Sequence, residues 1–213
     1  MKTIRFIGDV HGKYGPYKRL IAEVPRSIQV GDMGVGFRRY GGPRDGEIYG
    51  NPPHYAMVAG DHRFIRGNHD NPAECEKHSQ WIPDGNIEEG MMFIGGATSI
   101  DKESRREDYS WWPDEELSYE TLRHLIDVYA EAKPRIMVTH DCPQSIADLI
   151  LGQHYKSALE PKGTRTRQAF EQMLAIHNPE IWIFGHWHMT LDYIHEGTRF
   201  ICLAELEHRD IEI

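Results

Sequence analysis

Cysteine is scarce in this chain: three in 213 residues, Cys75, Cys142 and Cys202. They are far apart, odd in number and unlike any zinc-ligand spacing. No disulfide framework or thiolate metal site is indicated, and a reducing compartment is the expectation. Long apolar runs are missing too. No stretch approaches the roughly 20 residues that span a bilayer. The apolar run in MKTIRFIGDV is also too short for a signal peptide. A cytoplasmic protein with no membrane partner is expected. Positive charge is short, with 24 Lys and Arg against 33 Asp and Glu and a formal net charge of −9. Tight non-specific binding of nucleic acid needs a surplus of cations and is not expected. A nucleotide substrate stays open, because local charge and bound metals can outweigh the total.

Hydrophobic content of 39% and charged content of 27% suit a soluble globular chain with a real core. Thirteen histidines is a high count, and histidine-rich chains often carry metal. Without repeat, low-complexity tract or linker, residues 1–213 read as a single domain. Short apolar runs end abruptly in polar clusters: TIRFIG (3–8), SIQVG (27–31), RFIRG (63–67), MMFIGG (91–96), RIMVTH (135–140) and IWIFGH (181–186). Each is strand-length and bounded by Gly or a polar residue. Helical patterns cover Tyr17–Glu23, Pro113–Ala130 and Thr164–Ile176, and LDYIHEGTRFICLAEL reads as a hairpin turning at Glu196-Gly197. The fold class is α/β, built from two packed sheets. One long Gly- and Pro-rich stretch, 34–53, reads as a functional loop.

The strand ends share a feature. They run into Gly8-Asp9-Val10-His11, Gly31-Asp32, Gly67-Asn68-His69-Asp70, Thr139-His140-Asp141 and Gly185-His186-Trp187-His188. Ligands of open α/β sheets bind outside the carboxyl ends of the strands, so these residues should surround one crevice. Any one of these clusters reads more simply as a turn, a helix cap or surface decoration. Five strand ends carrying ligand-type residues do not. Carboxylates, imidazoles and one amide, with no thiolate, suit divalent Mn, Fe, Zn or Ni, and seven ligands suffice for two ions.

Read in order, GDVHG, GD, GNHD, TH and GHWH resemble the motif set of the calcineurin-like metallophosphoesterase superfamily, complete from residue 8 to 188. The resemblance implies two mixed β-sheets flanked by helices. It also implies one metal on Asp9, His11 and His188, a second on Asn68, His140 and His186, and Asp32 between them. Manganese is the favoured ion. Two cations about 3.5–4 Å apart activate a bridging hydroxide and clamp a phosphoryl group during in-line displacement. His69 is then positioned to protonate the leaving oxygen, and Arg66 matches a phosphate-contacting position in the Ser/Thr phosphatases. One departure stands out. Where that branch has a second Asp orienting the acid histidine, this chain has Val35. Asp70, or else Asp141, is the candidate replacement.

Two segments are candidates for substrate choice. Loop 34–53 carries Arg38, Arg39 and Arg44 with Phe37, Tyr40 and Tyr49, and segment 95–113 carries Lys102, Arg105 and Arg106 before Trp111-Trp112. Basic and aromatic side chains together suit a phosphorylated substrate with a planar group. The two tryptophans read as core, and Arg165 and Arg167 as helix surface. The functional expectation is a dinuclear phosphoesterase, foremost a phosphatase, acting on a phosphoprotein, a nucleotide or a nucleic-acid end. A phosphodiesterase or end-processing enzyme is the alternative, and a non-catalytic metal-bound interaction scaffold is the rival from another class.

Overall fold

Residues alternate in the first strand, β1 (Thr3–Ile7), and so set up two packed layers. Ile4 and Phe6 point to one face, while Arg5 and Ile7 point to the other. The structure, a computed structural model, describes residues 2–39, 42–44, 46–48, 59–153 and 163–213. Strands β2 (Arg26–Gln29) and β3 (Asp61–Phe64) pair in parallel beyond β1. The last strand, β10 (His208–Glu212), closes the other edge antiparallel, giving the order β10-β1-β2-β3. A second sheet has six strands in the order β4-β5-β6-β7-β9-β8. These are β4 (Ile87–Glu88), β5 (Met91–Ile94), β6 (Ile136–Thr139), β7 (Ile181–Phe184), β8 (Leu191–His195) and β9 (Thr198–Cys202). β5, β6, β7 and β9 run parallel, and β4 and β8 are antiparallel edges.

Three apolar clusters join the layers. Ile4, Phe6, Ile28 and Val30 of the first sheet meet Phe93, Val138, Ile183 and Ile201 of the second in a fully buried seam. Behind the first sheet, Ile7 and Phe64 pack on Tyr17 and Ile21 of helix α1 (Tyr14–Ile21). Behind the second sheet lie the long helices α3 (Tyr119–Ala132), α4 (Gln144–Gln153) and α5 (Arg165–Ile176), after the short α2 (Pro72–Cys75) in the first half. Trp182 centres that cluster, its ring 5.7 Å from Phe170 and 5.9 Å from Phe200. Such aromatic pairs add about 0.5–1.5 kcal/mol each beyond their burial. Two mixed sheets flanked by helices is the expected fold class.

Details differ from expectation for physical reasons. The pattern 113–130 starts as a helix only at Tyr119, capped by Ser118, whose side chain accepts from the Thr121 N–H. Residues before it are held elsewhere: the Glu115 carboxylate takes the Ser99 N–H at 2.9 Å and its hydroxyl at 2.5 Å. The hairpin forms as β8 and β9, with Glu196 and Gly197 at φ 49° and 89°. The three cysteines are buried and unpaired. Among the described residues no helix is long and apolar enough to cross a membrane.

Candidate metal centre

Because β1, β2 and β3 run parallel in one sheet and β6 and β7 in the other, their carboxyl ends deliver five polar segments to one crevice. Two groups of donor atoms form there. In the first, Asp9, His11, Asp32 and His188 each offer one atom, and these atoms all lie within 4.8 Å of one another. The His11 and His188 Nε2 atoms are 2.9 Å apart, and Asp9 Oδ2 is 3.0 Å from His188 Nε2. Asp9 Oδ2 is buried and accepts no well-aligned hydrogen bond. In the second group, the Asn68 side-chain oxygen lies 3.0 Å from both His140 Nε2 and His186 Nδ1. Asn68 Nδ2 donates to Ser99 Oγ at 3.0 Å, which turns the amide oxygen toward the histidines.

Asp32 belongs to both. Its Oδ1 is 3.3 Å from His140 Nε2, and its Oδ2 is 3.7 Å from His11 Nε2. The seven residues singled out in the sequence therefore stand together, as two sets sharing one carboxylate. Burial would raise the Asp32 carboxyl, but His140, His69 and His11 hold it well below its ordinary value. Burial would likewise lower His140, yet Asp32 pushes it up to about 10. Burial wins at His186, lowered to about 4. Crowded lone pairs, an orphaned buried carboxylate oxygen and a histidine forced to keep its proton mark a surplus of negative potential. Divalent cations would neutralise it, displacing that proton. His140 Nδ1 lies 2.9 Å from the Val30 carbonyl, the outer contact that orients a ligating imidazole. The donor set fits a pair of hard or borderline cations.

The glycines before the ligands have a steric role. A Cβ on Gly31 would lie 2.3 Å from His140 Nδ1, one on Gly67 2.1 Å from Asp32 Oδ1, and one on Gly185 2.3 Å from Asp9 Oδ1. Each glycine makes room for a ligand from another strand. Strain concentrates here too: His11, Asp32, His186 and His188 have φ of 47°, 60°, 67° and 49°, which L-residues adopt at a cost. Gly67→Ala is expected to weaken manganese binding about 10- to 100-fold, the range for displaced supporting contacts. Manganese titration followed by calorimetry, with circular dichroism as the folding control, checks this. Affinity within twofold of wild type would sink the steric account.

Around His69 the structure departs from expectation. Asp70 does not orient it. The Asp70 carboxylate is buried and accepts the N–H groups of Met33, Gly34, Val35 and Gly67 at 2.6–3.1 Å, tying the loop after β2 to the turn after β3. The His69 ring instead stacks on Phe37, centroids 5.0 Å apart and 13° between planes, and touches Arg105, whose Nη2 is 2.6 Å from Nε2. A guanidinium only donates, so His69 Nε2 is an acceptor here. Burial, reinforced by Arg105 and His11 against the pull of Asp32, lowers His69 to about 3. The expected proton donor carries no proton on that atom at rest.

Arg66 is not poised for phosphate either. It is buried, with Nε on Asp84 at 3.0 Å and Nη1 on the carbonyls of Asp114 and Glu115. Arg105 occupies the site instead, anchored by Ser99 Oγ at 3.2 Å and by Asp101 at 2.7 Å. Asp32, Asn68, His69, Arg105, His186 and His188 line a cavity of about 310 Å³ over the donor groups. Arg38 lines a neighbouring cavity of about 550 Å³ with Arg39 and Arg44. Tyr40 and Tyr49 lie outside the described residues. Trp112 is buried, as expected, whereas Trp111 is only partly buried.

Arg167 was expected on the surface and is fully buried. Its Nε donates to Asp141 Oδ2 at 2.7 Å, and its guanidinium lies 4.6 Å from the Trp187 ring centroid. Asp141 Oδ1 accepts from Trp187 Nε1 at 3.1 Å and the Cys142 N–H at 2.8 Å. The pair braces the His186-Trp187-His188 turn from behind, leaving Asp141 no more available to His69 than Asp70. The signal was present: Arg167, Phe170 and Leu174 fall at i, i+3 and i+7, on the apolar face of α5. Arg165 is half-buried, its Nη2 on the Glu116 carbonyl.

A family model described as calcineurin-like phosphoesterase matches residues 2–190. Among solved structures, the phosphopantetheinyl hydrolase of Mycobacterium tuberculosis is similar at 15% identity, over 98% of this chain and 95% of that one, with a TM-score of 0.55. GAP50, the anchor in the inner membrane complex of Plasmodium, is similar at 14% identity, over 96% of this chain and 72% of that one, with a TM-score of 0.51. At such identities the likeness is one of fold. No curated protein matches.

Proposed function

We propose that this chain, which belongs to the calcineurin-like phosphoesterase family and is a phosphoric ester hydrolase, is a phosphatase working with two divalent cations, manganese foremost. The observation that carries this reading is Asp32, with one oxygen toward each of two donor groups. Asp9, His11 and His188 would hold one cation, Asn68, His140 and His186 the other, with Asp32 shared. When bound, such a pair supplies Lewis acidity, lowering the pKa of water and offsetting phosphoryl charge.

The chain's own groups supply the rest. Arg105 reaches into the cavity over the centre, where its planar fork suits two phosphoryl oxygens. To engage them it would turn away from His69 and Asp101. His69 Nε2 then loses its donor and can take a proton and pass it to the leaving oxygen. Its burial and its contact with Arg105 oppose protonation at rest, so the acid role exists only once substrate has drawn Arg105 away. The Phe37 stack keeps the ring in place meanwhile, and the Asp32 carboxylate, accepting the His69 backbone N–H at 2.7 Å, fixes the turn that carries it. The small cavity over the centre favours a monoester over a diester.

The assay is hydrolysis of an aryl phosphate and its matching diester with added Mn²⁺, with and without chelator. Monoester turnover exceeding diester turnover, abolished by chelation, is expected. Faster diester turnover would move the reading to a phosphodiesterase, and no turnover with any divalent ion would end it. His69→Asn should lower turnover of an alkyl phosphate at least about tenfold more than that of an activated aryl ester, because only the poor leaving group needs the proton. Equal losses on both would remove the acid role.

A further inference from the structure

Two cavities meet at His69, Asp101 and Arg105, which line both. The smaller covers the metal centre. The larger, about 550 Å³, is bounded by the guanidinium-bearing side chains of Arg38, Arg39, Arg44 and Arg105. Among the described residues that line it, the one acidic group, Asp101, is engaged by Arg105 at 2.7 Å. On a chain with a formal charge of −9, four arginines around one recess are a strong local reversal of sign.

The recess is framed by backbone hydrogen bonds. The Arg38 N–H donates to the Tyr109 carbonyl at 2.7 Å, and the Arg39 N–H to that of Glu47 at 2.8 Å. The Gly46 N–H returns to Arg39 at 2.9 Å, and Arg38 bridges Ile48 antiparallel. A small ribbon thus docks on the segment around Tyr109, whose ring Arg38 and Arg106 approach at 5.9 and 3.9 Å. Phe37 forms part of the wall shared with His69. The Arg44 side chain makes a long contact with Glu47, at 3.8 Å, and both side chains are mostly exposed.

We infer, resting on the phosphatase reading above, that this recess receives a second phosphate carried on the leaving group. The substrate class is then a bisphosphorylated small molecule. With one phosphate over the donor groups, the leaving group must depart past His69, and the wall beyond His69 is the arginine recess. An uncharged leaving group would gain little from the positive potential of this recess. A phosphate would meet fork-shaped donors that match its oxygens in pairs. Arg105, at the junction, can serve either phosphate, and Arg38, Arg39 and Arg44 only the distal one.

The test uses the full chain with Mn²⁺ and α,ω-alkanediol monophosphates and bisphosphates of three to six carbons. For at least one chain length, kcat/KM for the bisphosphate should exceed that for the monophosphate by about 10- to 100-fold, the range for one charged hydrogen bond. The Arg38→Ala/Arg44→Ala variant should bring that ratio toward one. A ratio near one at every length, or a variant that loses both substrates equally, overturns the subsite. Monophosphate turnover in those cases leaves the phosphatase reading standing. If nothing turns over, that reading fails and the subsite is decided by binding. Alkane bisphosphonates should then bind about tenfold or more tighter than monophosphonates in calorimetry, and lose that margin in the variant. Equal affinities overturn it.

Discussion

Asp32→Asn should lower turnover of an aryl phosphate on the order of 10²- to 10³-fold, the cost of losing one electrostatic stabiliser of a charged transition state. Among the described donors Asp32 is the one that faces both groups, so on the two-cation reading one substitution would weaken both sites. The change is also structurally mild. Asn tolerates the left-handed backbone at φ 60° better than other residues, and its side-chain oxygen can still accept the His69 N–H. The loss therefore reports on charge and not on folding. Metal content by elemental analysis should fall below that of the wild-type protein prepared alongside. Wild-type metal content with turnover within tenfold would mean that Asp32 is not shared between cations.

Arg167→Met should destabilise the fold by about 3–5 kcal/mol, the range for stripping one partner from a buried ion pair. For a chain of this length that lowers Tm by roughly 6–20 °C. Both partners are fully buried. Burial alone would raise the Asp141 carboxyl, and Arg167, helped by His186 and the Cys142 N–H, holds it below its ordinary value. The sign of the pH dependence follows. In the wild type this depressed carboxyl contributes stability above its unfolded pKa, and that contribution fades as pH falls through its folded value. Without Arg167 the same carboxyl is raised by burial, and its penalty is relieved on protonation. The gap between variant and wild type should narrow toward acid. Adding Asp141→Asn to the variant should recover a large part of the loss, because neither charge then stands alone. Urea melts at neutral and acidic pH measure both effects. A deficit under 1 kcal/mol, or one that widens toward acid, would remove Arg167 as the brace of the histidine turn.

The donor residues were legible because each follows a glycine or threonine at the end of an apolar run, a signal within four residues of sequence. Strand ends and ligands coincide, so reading one located the other. The features without a local signal depend on partners distant in sequence. Asp70 reads as a neighbour of His69, but its carboxylate faces Met33, Gly34 and Val35, more than thirty residues back. Arg66 reads as a strand-end cation, but Asp84 and two carbonyls enclose it. The helical pattern before Tyr119 was interrupted by Ser99, which competes for Glu115. Arg167 reads as a surface charge, but its position falls among the apolar residues on α5. β10 escaped because it leaves the hairpin sheet and crosses to β1, a pairing with no local sequence pattern.

The division of ligands between the sheets has a thermodynamic consequence. Each donor group draws from both: Asp9, His11 and Asp32 with His188, and Asp32 and Asn68 with His140 and His186. Neither sheet alone could present a complete set. A cation bound at either position would act as a rivet across the apolar seam of Ile4, Phe6, Val138 and Ile183, favouring the docked state over any half-open one. Its binding energy would add to cohesion between the halves by mass action. Metal supply would then govern how often the chain opens along its middle, as well as how fast it turns over.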